Sequence, residues 1–320
     1  MHGVRFWGTR GSLPVALDAA GVRAKVVAAL RGSAGRDLTS DEALATYVDT
    51  LPFAINGTFG GNTACVQLMT GDPDYVVCDL GSGLRAFGNA ALARHGPAKP
   101  QTYHVFVSHL HWDHIMGLPF FGPAYIAGNR VVFYGGHEAL ESALRRQMDP
   151  PSFPVPFDVF RASIEFVHLA ADVTHDVAGM RVRLKRQHHA GDSYGYRFEK
   201  NGRVVIYSTD SEHKLAEPDE RPAFAEFFRG ADLVIFDAMY SLAEATSVKA
   251  DWGHSSNIVG VELCQAARAK ELCLFHHEPA LDDAALAKML AETRRFEEIT
   301  RGSATPLRIS TAYDGLEITL

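Results

Sequence analysis

The segment Ser108-His109-Leu110-His111-Trp112-Asp113-His114 places three imidazoles and one carboxylate within six residues. One tetrahedral ion rarely draws so many ligands from so short a stretch, whereas two metal ions side by side would. The preceding Tyr103-His104-Val105-Phe106-Val107 reads as a short buried strand of β-branched and aromatic side chains. The ligands therefore sit on the loop leaving a strand's carboxyl end, where open α/β sheets collect their chemistry. On an extended loop His109 and His111 project to the same side and can share one ion. Asp113 and His114, past the turn, can reach a second.

Three later groups could complete such a site. His188-His189-Ala190-Gly191-Asp192-Ser193 joins two strand patterns, Asp210 comes directly after the buried run Val204–Ser208, and His276-His277-Glu278-Pro279 follows Leu272–Phe275. A single histidine after a strand is usually structural. Taken together and in order, these groups offer what the first motif lacks: a third imidazole for one ion, a last ligand for the other, and a bridging carboxylate. The residues alone leave His188 against His189, and His276 against His277, unresolved. Asp192 and Asp237 are the alternative bridges if Asp210 is not one.

The elements needed to position these residues are legible as short apolar runs. Strands are expected at Val4–Trp7, Ala64–Thr70, Tyr75–Leu80, His104–Ser108, Val131–Gly135 and Ile164–His168. Further strands are expected at Val182–Gln187, Ser193–Glu199, Val204–Ser208, Leu233–Phe236, Leu272–Phe275 and Leu316–Leu320. Helical periodicity marks Leu84–Ala93, Glu138–Gln147, Arg221–Arg229, Ser256–Ala269 and Asp283–Thr300, with Ser255 or Ser256 and Asp282 as caps. Runs of strands with helices returning outside them predict two sheets face to face, covered by helices: an α/β/β/α sandwich. No repeat or linker divides the chain, so residues 1–320 are expected to form a single domain. Two stretches read as additions to it. An alanine-rich amphipathic insertion occupies about 15–56, and a loop at about 145–162 holds Pro150, Pro151, Pro154 and Pro156, which exclude a helix.

Composition bounds the function classes. At 47% hydrophobic and 22% charged residues the chain has globular proportions. No apolar run approaches the ~18 residues of a membrane helix, and the N-terminus enters strand-like sequence without signal-peptide organisation. Cys65, Cys78, Cys264 and Cys273 lack Cys-x-x-Cys spacing and lie in apolar segments, as core thiols of a reducing compartment do. A cytoplasmic protein is expected. The net charge of −7 disfavours a long nucleic-acid partner. It is compatible with a small anionic ligand, because two divalent cations on two carboxylates and neutral imidazoles leave a local surplus of about two positive charges.

The chain resembles the metallo-β-lactamase-fold hydrolases, and among them the phosphodiesterase and ribonuclease Z branch. The resemblance rests on Phe6-Trp7-Gly8-Thr9-Arg10-Gly11-Ser12-Leu13-Pro14, Gly60-Gly61-Asn62-Thr63, Asp79-Leu80-Gly81-Ser82-Gly83 and the histidine motif. It continues through Tyr207-Ser208-Thr209-Asp210, Gly253-His254-Ser255-Ser256 and Phe275-His276-His277-Glu278-Pro279. It implies His109, His111 and His189 on one ion, Asp113, His114 and His277 on the other, and Asp210 bridging. His189 is preferred over His188 because Gly191 and Ser193-Tyr194-Gly195-Tyr196 then fall in the family's register. His277 is preferred as the second residue after the apolar run. Zn²⁺ is the expected metal, with Mn²⁺ or Fe²⁺ suited to the same donors.

The activity implied is a dinuclear metal-dependent phosphodiesterase acting on a small, cyclic or linear, nucleotide. His254, ahead of a helix N-terminus, would supply a proton to the leaving alkoxide. Asp113 would share the proton of the attacking water. Arg10 and Asn62, in glycine-rich loops, would contact substrate or anchor those loops. Ribonuclease Z activity is the alternative, but that enzyme's tRNA-gripping arm commonly lies between the third-histidine motif and the bridging aspartate. Here twenty residues separate His189 from Asp210. Thioester or lactone hydrolysis shares the metal core without needing His254. A homodimer is expected, built on the exposed amphipathic face of residues 15–56.

Overall fold

The computed structural model describes residues 1–213, 220–241 and 251–320. Its first sheet contains β1 (Gly3–Gly8), β2 (Cys65–Met69), β3 (Tyr75–Cys78), β4 (Thr102–Phe106), β5 (Arg130–Gly135) and β6 (Ser163–His168). The second contains β7 (Thr174–Val177), β8 (Met180–Gln187), β9 (Ser193–Lys200), β10 (Arg203–Ser208), β11 (Leu233–Asp237), β12 (Glu271–Phe275) and β13 (Arg308–Thr311). Strand β14 (Glu317–Thr319) returns to pair with β1, so each sheet has seven strands. The orders are 14-1-2-3-4-5-6 and 13-12-11-10-9-8-7. Within each sheet one flank is parallel, β3 to β6 in the first and β10 to β13 in the second, and the rest is antiparallel.

The inner parallel strands β3, β11 and β12 are buried on both faces, and their side chains alternate between two cores, as central parallel strands require. On β11, Leu233 and Ile235 point into the space between the sheets, while Val234 and Phe236 point outward beneath helices. The inter-sheet core joins Phe6, Val66 and Phe106 of one sheet to Phe198, Tyr207 and Phe275 of the other. Outside the first sheet, Phe87 and Leu144 come from helices Leu84–His95 and Leu140–Arg146. Outside the second, helices Glu220–Phe228, Asn257–Ala267 and Asp283–Thr300 contribute Phe224, Val261 and Leu290. This is the expected α/β/β/α sandwich. Among the described residues no helix is long and apolar enough to cross a membrane, and all four cysteines are buried and free.

Residues 15–56 form helices Ala19–Gly32, Asp41–Thr50 and Phe53–Asn56, the first two N-capped by Asp18 and Ser40. The first of these helices buries no residue, and Lys25 ties it to Asp283 by an ion pair at 2.6 Å. The proline-rich loop is anchored: Phe157 is buried in the outer core of the first sheet and Phe153 and Phe160 pack against it.

Candidate metal centre

The strands that carry the site residues all deliver them at their carboxyl ends. His109 and the short helix Trp112–Ile115 follow β4, His189 follows β8, Asp210 follows β10, and His276 follows β12. Asp210 and His276 both take left-handed backbone, with φ of 47° and 60°. For residues other than glycine this costs on the order of 1–3 kcal/mol each, so the packed strands must hold it.

Four overlapping groups of possible ligands result among the described residues, two of them also taking in His254, and the two that hold the histidine motif are the main clusters. Side-chain donors of His109, His111 and His189 lie within 4.8 Å of one another, and so do those of Asp113, His114, Asp210 and His276. Asp210 joins the two. Its Oδ1 stands 3.1 Å from His114 Nε2 and 3.2 Å from His276 Nε2, while Oδ2 stands 3.6 Å from His109 Nε2 and 3.7 Å from His189 Nε2. Asp113 Oδ2 faces His114 Nε2 at 3.2 Å and accepts the backbone N–H of Ser12 at 2.8 Å.

The hydrogen bonds around the imidazoles point their lone pairs inward. His114 Nδ1 donates to Asp79 Oδ2 at 2.7 Å and His189 Nδ1 donates to the Gly253 carbonyl at 2.8 Å, leaving each Nε2 for the site. His109 Nε2 is buried without a hydrogen-bond partner. Acceptors thus converge on acceptors, an arrangement that suits cations and little else. Negative charge gathers in the second cluster. Complete burial by itself would lower the His114 pKa, yet Asp210, Asp113 and Asp79 raise it well above its ordinary value. Burial lowers the pKa of His109, His111 and His189, which favours the neutral imidazole. The residues present therefore fit two divalent ions.

His277 is not in either cluster, contrary to the sequence expectation. The backbone reverses at His276, so the first histidine after the apolar run turns into the site. His277 turns away, its Nε2 donating to the Ala312 carbonyl at 2.8 Å, and burial pushes its pKa down to about 3. His188 is exposed outside the site. Of the alternative bridges, Asp192 pairs with Arg186, whereas Asp237 lies beside His254 and His276 in a further group of possible ligands and accepts from His254 Nδ1 at 2.9 Å. Desolvation lowers the His254 pKa, but the Asp237 charge and hydrogen bond outweigh it and bring the imidazole to about 9. The His254 ring stacks on His276 with centroids 5.2 Å apart.

Arg10 and Asn62 anchor loops. The Arg10 guanidinium donates to the carbonyls of Gly60, Glu278 and Leu281, and Asn62 bonds Asp314 and Ser82. Sequence reasoning assigned no role to Asp79, which gathers Ser108 N–H, Ser108 Oγ, Tyr207 Oη and His114 Nδ1, each at 2.7 Å. The available signal was a carboxylate directly after a buried apolar strand, the same signal that marked Asp210.

A family model described as a β-lactamase superfamily domain matches residues 75–277, more than half of the chain and the stretch that holds both clusters. Ribonuclease Z of Listeria monocytogenes is 21% identical over 246 residues, covering 61% of this chain and 77% of its own. Among solved structures, the metallo-β-lactamase fold protein YhfI from Bacillus subtilis superposes with a TM-score of 0.65 at 16% identity, over 100% of this chain and 99% of its own. A diphosphatase of the PhnP family superposes with a TM-score of 0.60 at 21% identity, over 100% and 98%. With its fold and its clusters, the chain belongs to the β-lactamase superfamily, as a metal-dependent hydrolase of the metallo-β-lactamase fold.

Proposed function

We propose that this protein is a dinuclear metal-dependent phosphodiesterase acting on a small nucleotide, cyclic or linear. The observation that carries the reading is the Asp210 carboxylate, one oxygen turned to each cluster. Two ions bound there would polarise a phosphoryl oxygen and acidify a water for attack at neutral pH. His109, His111 and His189 would hold one, Asp113, His114 and His276 the other, with Asp210 shared. Zn²⁺ is favoured for these imidazole and carboxylate donors, and Mn²⁺ or Fe²⁺ would fit them.

The protein's own residues would handle protons and orientation. Asp113, fixed by the Ser12 N–H, is placed to share the proton of the attacking water. His254, oriented by Asp237, is placed to give a proton to the departing alkoxide. His109, His114 and His276 are buried, whereas His111 and His189 partly meet solvent, so substrate would enter on the latter side. Trp112 and Trp252, next in sequence to His111 and Gly253, are 68% and 58% exposed and would suit a planar base. The finer expectations belong to the same reading: one domain over residues 1–320, a cytoplasmic setting in keeping with free thiols, and a homodimer.

Processing of tRNA 3′ ends is the second reading, supported by similarity to ribonuclease Z. Against it, β9 and β10 form a hairpin in which Lys200 pairs with Arg203, so the span from His189 to Asp210 holds no arm. Thioester or lactone hydrolysis on the same core is a third. Leaving-group dependence tests the choice. His254→Ala should slow a dinucleotide, with its alkoxide leaving group, by roughly 10²–10⁴-fold, and bis(p-nitrophenyl) phosphate far less. Equal losses on both at unchanged metal content would remove His254 from the acid role. Faster turnover of a thioester than of either phosphodiester would favour the third reading.

A further inference from the structure

A carboxylate outside the chemistry above fastens the turn that carries His254 to the segment that carries Asp210. Glu212 Oε1 accepts the Asp251 N–H at 3.1 Å and Oε2 accepts the Gly253 N–H at 3.2 Å. The Glu212 N–H donates to the His188 carbonyl at 2.8 Å. One residue earlier, the Ser211 carbonyl accepts from Ser255 Oγ at 2.5 Å. Glu212 therefore holds backbone immediately before His189 and immediately before His254.

The turn needs such a hold. Asp251 and Trp252 lie at the exposed surface. Gly253 has φ of 80°, and a Cβ there would lie 2.3 Å from His189 Nδ1. Glycine is thus required for the close approach, and glycine leaves the turn intrinsically loose. One carboxylate thus receives two N–H groups of the same turn, and hydrogen bonds to carboxylates are among the stronger ones in proteins.

We propose that Glu212 is a positioning residue that sets the His254 imidazole at the metal centre through the Asp251–Gly253 turn. The inference rests on reading His254 as the general acid. A displacement of about 1 Å at a reacting group can cost on the order of 10²-fold in rate. The effect should follow the leaving group, because only His254 serves the alkoxide.

The test uses metal-loaded full-length protein with Glu212→Ala and Glu212→Gln, a dinucleotide and bis(p-nitrophenyl) phosphate. Glu212→Ala should lower kcat on the dinucleotide by about 10²-fold and on the activated ester by less than about tenfold, with metal content at the wild-type level. Glu212→Gln keeps one acceptor oxygen and should fall between wild type and Glu212→Ala, which also serves if the alanine variant folds poorly. Added to His254→Ala, Glu212→Ala should cost nothing more on the dinucleotide. Independently of turnover, proton NMR should show the His254 Nδ1–H resonance broadened by water exchange in Glu212→Ala. An unchanged substrate ratio with a wild-type His254 resonance would overturn the proposal. So would loss of metal together with both activities, which would make Glu212 a support for His189 instead. If wild type hydrolyses neither phosphodiester, the phosphodiesterase reading fails, and the NMR comparison decides the role of Glu212 by itself.

Discussion

Neighbouring histidines on one loop have opposite fates because backbone direction, and not residue type, selects the ligand. His276 follows the last residue of β12 in left-handed backbone and turns into the site, while His277 is spent on the Ala312 carbonyl. His276→Ala should therefore remove one metal equivalent and nearly all hydrolysis. His277→Ala should keep both metals and lose stability by about 1–3 kcal/mol, since it strands a buried carbonyl. Metal analysis beside urea unfolding separates the two, and the reverse pattern would restore the sequence assignment. Asp79 acts one layer further out. Asp79→Asn would still bond His114 but supply no charge to polarise it, and metal affinity should weaken by about 10–100-fold, as competition with a chelator would measure. Unchanged affinity would make Asp79 a strand-end tie only. The choice of His276 could not be read from sequence, because its φ is set by the packed strands; for Asp79 the sequence offers the strand-end carboxylate but not its meeting with Tyr207, which lies far away in the chain.

At the level of elements, the sequence was most legible where strands are apolar and buried. The runs at β4, β10, β11 and β12 stand out because both faces are covered, and these four deliver His109, Asp210, Asp237 and His276. Strands β7 and β13 were missed. Thr174–Val177 is a polar edge strand without a buried residue, and Arg308–Thr311 is a short edge strand with alternating exposure, so neither carries the apolar density that marks the centre of a sheet. The insertion at about 15–56 was legible as helical from its alanine-rich amphipathic periodicity. Its outward face was legible too: Val22, Val26 and Leu30, spaced four apart on one helix, are all about half-exposed or more. A second copy covering that face would explain it. Light scattering at micromolar concentration should then give a dimer, and Val26→Asp should give a monomer with unchanged metal content. A monomeric wild type would leave the face without this explanation.

For the whole molecule, the arrangement of two mixed sheets explains why ligands distant in sequence share one cleft. Carboxyl ends of β4 in one sheet and of β8, β10 and β12 in the other carry the site residues, and the inter-sheet core from Phe6 to Phe275 packs the two sheets together. The metal centre therefore depends on the entire sandwich. X-ray anomalous scattering from crystals grown with Zn²⁺ tests the dinuclear centre most directly. Two peaks should appear on opposite sides of the Asp210 carboxylate, one bound by His109, His111 and His189 and the other by Asp113, His114 and His276. A single peak, or a second ion bound by His277, would contradict it.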